Sequence, residues 1–180
     1  MKKLICFTGA PCSGKTQSLT AMELIKGYKD VHVVPEAPTF FKNGLHDIPQ
    51  EGPEQEQFDR VVYHSRVLST LEAQRRPEDI VLFDRGTFDG MVYHEDFFNL
   101  INSTPEAEIN RYTAIVLFET LAAVDRYEIN GTRWEPPKLA LDIHAKLRDI
   151  CKKHSNFIEI PASMDSLRRL SMVLDFIDDI

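Results

Sequence analysis

Cysteine and long apolar runs are scarce in this sequence. The 180 residues include 3 cysteines, Cys6, Cys12 and Cys151, and this odd number at irregular spacing supports neither a disulfide framework nor a zinc site. A reducing cytoplasm is therefore the compartment that we expect. No apolar run is long enough for a transmembrane helix, and the first run, from Leu4 to Phe7, is too short for a secretory signal.

Basic residues are also fewer than acidic ones. The chain has 21 Lys+Arg against 28 Asp+Glu, which gives a formal net charge of -7. Because binding to nucleic-acid phosphates requires a basic face, this balance argues against a nucleic-acid partner. The apolar fraction of 43% and the charged fraction of 27% are ordinary for a globular protein. The length predicts one domain over residues 1–180.

Short apolar runs alternate with segments of helical periodicity along the chain. Runs without polar alternation are typical of strands buried on both faces of a parallel sheet. They occupy residues 3–8, 31–34, 80–83, 114–118 and 157–160, and helices are predicted near 15–25, 57–75 and 164–180. The alternation predicts a three-layer α/β fold with a five-stranded, mainly parallel sheet. The segments near 36–56 and 127–137 are predicted to be mobile.

A phosphate-binding motif follows the first predicted strand. The segment GAPCSGKT fits the pattern G-x-x-x-x-G-K-[ST]. In this motif backbone N–H groups and a helix N-terminus hold phosphate oxygens, the lysine reaches the β- and γ-phosphates, and the hydroxyl binds Mg²⁺. A glycine-rich turn without a ligand is the alternative. The residues expected to contact the nucleotide are Gly9, Ala10, Pro11, Cys12, Ser13, Gly14, Lys15, Thr16 and Gln17.

Carboxylates follow two other predicted strands. Phosphoryl transfer needs a further magnesium ligand near the loop, and we expect Asp84, at the end of the third strand, to supply it. Arg85 would then lie close to the transferred phosphate. Glu36, after the second strand, is the candidate that accepts a proton from an attacking hydroxyl. Alternatively, Asp84 caps a turn, Glu36 is solvated, and Asp89 and Tyr93 either line a pocket or cover the surface.

Two arginines flank a strong turn signal late in the chain. Arg126 and Arg133 lie on either side of Asn130-Gly131, and a loop of this kind can close over a triphosphate and stabilise transition-state charge. A solvated connection is the alternative. Residues near Glu36 and on the next helix are candidates either for stacking on a ring or for packing. They are Phe40, Phe41, Tyr63, His64 and Arg66.

Several segments together resemble a known family. They are GAPCSGKT, VPEAPTFF, EQEQFDRVVYHSRVLSTLEAQ, VLFDRGTFDGMVY, RYEINGTRW and IPASMDSLRRLSMVL. They are similar to the small P-loop domains grouped as AAA domain ATPases, nearer to nucleoside and nucleotide kinases and including ribosylnicotinamide-kinase-like domains. The resemblance covers nearly the whole chain. Its first motif is common to P-loop NTPases in general, whereas VPEA and DRGTFDG are more specific to this group.

The resemblance implies roles for individual residues. Lys15 and Thr16 would bind the triphosphate and magnesium, and Asp84 would be the acidic residue after the third strand. Glu36 would lie near the acceptor hydroxyl. Arg66 departs from the pattern, because related helices carry a substrate-facing glutamine there, so the acceptor is expected to differ.

The resemblance also adds residues on the nucleotide side. Arg126 and Arg133 would be lid arginines, and Pro161 and Ala162 would form the loop beside the purine ring. No base-reading motif in the sequence separates ATP from GTP.

These features predict an ATP-dependent phosphotransferase. It would use ATP (or GTP) with Mg²⁺ and move the γ-phosphate to a small nucleoside- or nucleotide-like acceptor. One alternative is a nucleotide-dependent switch without a small acceptor. The other is a kinase acting on a nucleoside within a polynucleotide, bound through a local basic patch of Arg66, Arg75 and Arg76. The sequence does not identify the acceptor or the oligomeric state.

Overall fold

A single parallel sheet forms the centre of the molecule. The computed structural model describes residues 2–25, 30–37, 52–127 and 136–180. Its strands are β1 Lys3–Gly9, β2 Val31–Val34, β3 Ile80–Asp84, β4 Ala114–Phe118 and β5 Phe157–Ile160. They form a five-stranded sheet in the order β2-β3-β1-β4-β5, and all neighbouring strands run parallel. The predicted five-stranded sheet is confirmed.

Helices connect the strands and cover the sheet. They are α1 Lys15–Leu24, α2 Gly52–Ala73, α3 Phe97–Leu100, α4 Pro105–Ile109, α5 Pro137–Cys151 and α6 Ser166–Asp179, with 3-10 helices at Asp89–Val92 and Leu121–Val124. The start of α2 differs from the sequence prediction, which placed it near Gln57. Pro53 and Glu54 explain the earlier start, because proline and acidic residues are favourable in the first turn of a helix.

The core lies on both faces of the sheet, as expected for three layers. On one face α5 packs its apolar stripe against the strands through Ala140, Ile143 and Leu147. On the other face α1 contributes Leu19 and Met22, and α6 contributes buried apolar residues such as Val173. The central strands β1 and β4 are almost wholly buried, whereas the edge strand β2 is half-buried. The three-layer α/β prediction is therefore confirmed.

The strand order brings the carboxyl ends of the strands together. Phe7 of β1 lies opposite Asp84 of β3, and Gly9 lies opposite Phe118 of β4. Val34 of β2 lies opposite Phe83. Segments that follow the strands therefore meet along one edge of the sheet, which is where ligands bind in open α/β sheets.

The two segments predicted to be mobile lie mainly outside the described residues. Of the predicted segments 36–56 and 127–137, residues 38–51 and 128–135 are outside the described part of the chain. The helices that follow, α2 and α5, begin at Gly52 and Pro137. Among the helices that the structure describes, none combines the length and the apolar composition needed to cross a membrane.

Candidate functional site

The loop between β1 and α1 has the backbone shape of a phosphate-binding loop. Gly14 adopts a left-handed conformation with φ 78° just before α1. At Gly9 a Cβ atom would lie 2.6 Å from the carbonyl oxygen of Phe118 and 2.8 Å from Ser13 Oγ. Since real Cβ atoms do not approach a backbone oxygen this closely, the loop requires glycine where it leaves the sheet.

Hydrogen bonds fix the outer side of this loop. The hydroxyl of Thr120, after β4, donates to the carbonyl oxygen of Pro11 at 2.8 Å. The backbone N–H of Leu121 donates to the carbonyl oxygen of Cys12 at 2.9 Å. Both bonds use carbonyl groups of the loop, so they hold its shape without consuming the N–H groups that phosphate needs.

Three predicted site residues meet between the loop and β3. Lys15 Nζ donates to Asp84 Oδ1 in an ion pair, with both side chains buried. Thr16 Oγ1 lies 3.5 Å from the other carboxylate oxygen, Asp84 Oδ2. A hydroxyl and a carboxylate oxygen are hard ligands of the kind that Mg²⁺ prefers. The donor set therefore fits magnesium, and Thr16 and Asp84 are the residues that would hold it.

Arg85 and Glu36 form a second pair next to the first. Arg85 Nε lies 2.5 Å from Glu36 Oε1, which joins the end of β2 to the turn after β3. Arg85 has a left-handed backbone with φ 76°. Its backbone N–H donates to the carbonyl oxygen of Phe7 at 2.9 Å. Its Nη1 also lies 3.4 Å from the carbonyl oxygen of Gly9. The guanidinium is thus beside the phosphate-binding loop.

Asp89 is the buried anchor of this arrangement. Its Oδ1 accepts hydrogen bonds from Thr8 Oγ1 at 2.7 Å and from Arg85 Nη1 at 3.2 Å, and its Oδ2 accepts one from the N–H of Gly86 at 2.7 Å. The side chain is 1% exposed. Of the two alternatives for Asp89, surface coverage is therefore wrong: the carboxylate orients Arg85 from below. Tyr93 is 42% exposed.

The electrostatic environment keeps both Glu36 and Arg85 charged. Burial acts to raise the pKa of Glu36, but the positive charges of Arg85, Lys15 and Arg66 outweigh burial and lower that pKa. Burial likewise acts to lower the pKa of Arg85, whereas Tyr93 and the nearby carboxylates raise it well above its ordinary value. Glu36 is thus an ionised hydrogen-bond acceptor at neutral pH, and a weaker base than a free glutamate.

Arg126, predicted as a lid arginine, contacts the segment that was predicted to lie beside the purine ring. Arg126 Nη2 donates to the carbonyl oxygen of Ala162 at 2.6 Å. The N–H of Ala162 donates to Glu119 Oε2 at 2.7 Å. These bonds tie the segment after β5, which begins with Pro161, to the segment after β4. Gln17 and Thr16 are exposed at the start of α1.

Arg169 of α6 also belongs to this region, although sequence reasoning missed it. It is 6% exposed, its guanidinium lies 5.5 Å from the centre of the Phe118 ring, and its Nη2 donates to the carbonyl oxygen of Glu119 at 3.2 Å. A Cβ atom on Gly14 would lie 3.0 Å from its Nη1. Its spacing from Val173, on the buried face of α6, was the signal in the sequence.

Other candidates have different positions. Phe40, Phe41 and Arg133 lie outside the described residues. The hydroxyl of buried Tyr63 donates to Glu108 Oε1 at 3.0 Å, which is a packing role, and His64 is exposed next to it.

The basic patch that would serve a polynucleotide does not form. Arg66 is buried in the inner face of α2. Arg75 is exposed, and Arg76 is paired with Glu72 and Glu78. The three arginines therefore do not share one free surface.

The fold and the site together define a class of protein. A parallel sheet in the order 2-3-1-4-5, with a G-x-x-x-x-G-K-T loop after β1 and an aspartate at the end of the adjacent β3, is that of a P-loop NTPase. The chain belongs to the AAA domain family, whose model matches residues 4–166. No curated protein matches the sequence. Membership of this family supports the binding and hydrolysis of a nucleoside triphosphate.

Proposed function

We propose that this protein is a phosphotransferase that moves the γ-phosphate of ATP or GTP to the hydroxyl of a small nucleoside- or nucleotide-like acceptor. The observation that carries the proposal is the Glu36–Arg85 pair. A carboxylate and a guanidinium beside the phosphate-binding loop form a site for a hydroxyl and for the phosphoryl group that it attacks.

On the nucleotide side, the loop would bind the triphosphate. Lys15 would leave the Asp84 carboxylate and contact the β- and γ-phosphates, while Thr16 and Asp84 would hold magnesium. Magnesium, when bound, neutralises charge on the β- and γ-phosphate oxygens. Pro161 and Ala162, held by Glu119 and Arg126, would flank the base.

On the acceptor side, Glu36 would accept the hydrogen bond of the attacking hydroxyl and orient its oxygen in line with the γ-phosphate. Its lowered pKa makes it a weak base, but a loose phosphoryl-transfer transition state requires little help from a base. Arg85, held by Glu36 and Asp89, would stabilise the charge that spreads over the phosphoryl oxygens.

The substitution Glu36→Gln tests this proposal. It keeps the size of the side chain and removes the charge, so acceptor-stimulated turnover is expected to fall by about 10²-fold, the small end of the range for loss of a general base. Affinity for the magnesium nucleotide is expected to stay within about threefold, because Glu36 is hydrogen-bonded to Arg85 and not to a residue of the phosphate-binding loop. The assay is consumption of ATP and of GTP with and without a panel of nucleosides and nucleotides.

The matched control is Glu54→Gln, an exposed glutamate in the first turn of α2. It should leave acceptor-stimulated turnover unchanged. Stimulation that persists in Glu36→Gln would remove Glu36 from the mechanism. Absence of stimulation by every acceptor in the wild-type protein would instead favour the nucleotide-dependent switch.

A further inference from the structure

Of the six buried side-chain polar atoms that lack a partner among the described residues, three belong to side chains on elements next to the proposed acceptor site. Arg66 Nε and Asp59 Oδ2 on α2, and His94 Nδ1 after the 3-10 helix Asp89–Val92, have no hydrogen bond to any residue that the structure describes. Arg66 is 8% exposed. Native proteins retain few such atoms, because a buried donor or acceptor that lacks a partner costs free energy. A ligand that hydrogen-bonds to them would remove this cost.

Electrostatic interactions show that these side chains are neighbours of one another and of Glu36. The charge of Arg66 acts on Glu36. Burial raises the pKa of Asp59, and the charges of His94 and Arg66 oppose that rise. Asp59 and Arg66 are two turns apart on α2, about 10 Å along the axis, and side chains on a helix lean towards its N-terminus. Both side chains lean the same way along one face of α2, so their spacing of about 10 Å is kept, and this is a separation that a nucleoside-sized molecule can span.

The hydrogen-bonding character of the cluster restricts the ligand. Arg66 Nε offers a donor, Asp59 Oδ2 offers an acceptor, and His94 Nδ1 offers either, depending on its tautomer. A phosphate or carboxylate group has only acceptors, so it would leave Asp59 without a partner and would also be repelled by Asp59 and Glu36. An uncharged group with a donor next to an acceptor satisfies both side chains.

We propose that Asp59, Arg66 and His94 form the specificity subsite for the acceptor, and that they bind an uncharged edge in which a hydrogen-bond donor adjoins an acceptor. Two parts of a nucleoside have this chemistry: a base edge with N–H next to C=O, and a pair of vicinal ribose hydroxyls. Because the reacting hydroxyl would lie at the ionised Glu36, a phosphate on that hydroxyl would be repelled there, and the protein would select an uncharged nucleoside over the corresponding monophosphate. This inference rests on the proposed function.

Binding and kinetic measurements on the full chain test the inference. With uridine, inosine and their 5′-monophosphates as probes, the nucleosides should raise the melting temperature more than the monophosphates do. Methylating the base edge, or removing the two ribose hydroxyls, should reduce that shift if the altered group is the one that binds the subsite. Loss with 3-methyluridine and 1-methylinosine would assign the base edge, and loss with the 2′,3′-dideoxynucleosides would assign the hydroxyl pair. Equal shifts for all of them, a preference for the monophosphates, or no shift with any nucleoside would overturn the inference.

Two substitutions connect this selectivity to the named residues. Asp59→Asn and Arg66→Gln should each raise the KM for the acceptor at least tenfold more than the KM for the nucleotide. The controls are Glu56→Gln, exposed on α2, and Arg75→Gln, exposed in the turn that follows α2; they should change neither KM. An unchanged acceptor KM in both Asp59→Asn and Arg66→Gln would exclude these residues even if the protein is a kinase, so the two proposals fail separately.

A third variant separates binding from a structural role. Arg66→Met fills a similar volume without the donor or the charge, so it should abolish the shift that the nucleoside causes while the ligand-free protein still unfolds cooperatively. If Arg66 were only a structural residue, the folded variant would keep the nucleoside-induced shift, and that result would overturn its assignment.

Discussion

The ion pair between Lys15 and Asp84 connects stability with nucleotide binding at the level of single residues. Lys15→Ala leaves the buried Asp84 carboxylate without its partner, and breaking a buried pair in this way costs about 3–5 kcal/mol. It also removes the charge that contacts the β- and γ-phosphates. We therefore expect a lower free energy of unfolding in urea and weaker binding of the magnesium nucleotide.

The double variant Lys15→Ala, Asp84→Asn discriminates between these two effects. Removing the unpaired charge should restore part of the lost stability, because the two side chains are in contact and their effects are not additive. Nucleotide binding should remain weak, since the lysine and the magnesium ligand are both absent. If nucleotide affinity recovered together with stability, the loop would not act through Lys15.

The lowered pKa of Glu36 predicts how stability depends on pH. Its folded pKa lies below the unfolded value of about 4.3, so its contribution is present above that value and is lost as the pH falls through the folded pKa. Glu36→Gln should therefore lower the melting temperature at pH 7 relative to the wild-type protein, and the difference should shrink in acid. A difference that grew in acid would mean that Arg85 does not stabilise the charged carboxylate.

At the level of elements, the phosphate-binding loop depends on how closely β1 and β4 approach. Gly9→Ala would place a methyl group 2.6 Å from the carbonyl oxygen of Phe118. Because a backbone oxygen cannot rotate away as a side chain can, we expect a loss of about 1–3 kcal/mol and a marked loss of nucleotide affinity. Thr20→Ala, on the exposed side of α1, is the control. Unchanged affinity in Gly9→Ala would show that the loop tolerates the displacement.

The strands were predictable from the sequence, whereas the start of α2 and the 3-10 helices were not. Continuous apolar runs such as residues 114–118 have few alternatives to a buried strand, and they were located within a residue. Gly52 and Pro53 are typical of loops, and although Pro53 and Glu54 also suit the first turn of a helix, the local sequence allows either structure. The 3-10 helix Leu121–Val124 has a local cap, since the side chain of Thr120 accepts from the N–H of Ala122, but the hydrogen bond from Thr120 to Pro11 is tertiary and is not visible in the local sequence.

The predictability of the candidate site divides in the same way. Lys15, Thr16 and Asp84 were identifiable because a motif and a strand end fix them independently of other contacts. The contact of Arg85 with Glu36 depends on the left-handed backbone of Arg85 and on the order of strands that are distant in sequence. Arg169 was missed because an arginine on an amphipathic helix is normally assigned to its solvated face.

For the whole molecule, the order of the strands explains why two ligands could meet at one edge. The loop after β1 lies between β3, which contributes Asp84, and β4, whose following segment contacts Pro11 and Cys12. Glu36 and α2 lie on the β3 side, and the Arg126–Ala162 contact lies on the β5 side. The account therefore assigns the acceptor to one side of the loop and the nucleotide base to the other.

The most direct test of this account follows the γ-phosphate itself. The protein is incubated with magnesium and ATP or GTP labelled in the γ-phosphate, with each member of a nucleoside and nucleotide panel, and the label is located by chromatography and mass spectrometry. The account predicts a phosphorylated acceptor formed in equal amount to the nucleoside diphosphate, with little label in free phosphate. Label found only in free phosphate with every acceptor, at a rate that no acceptor changes, would contradict it.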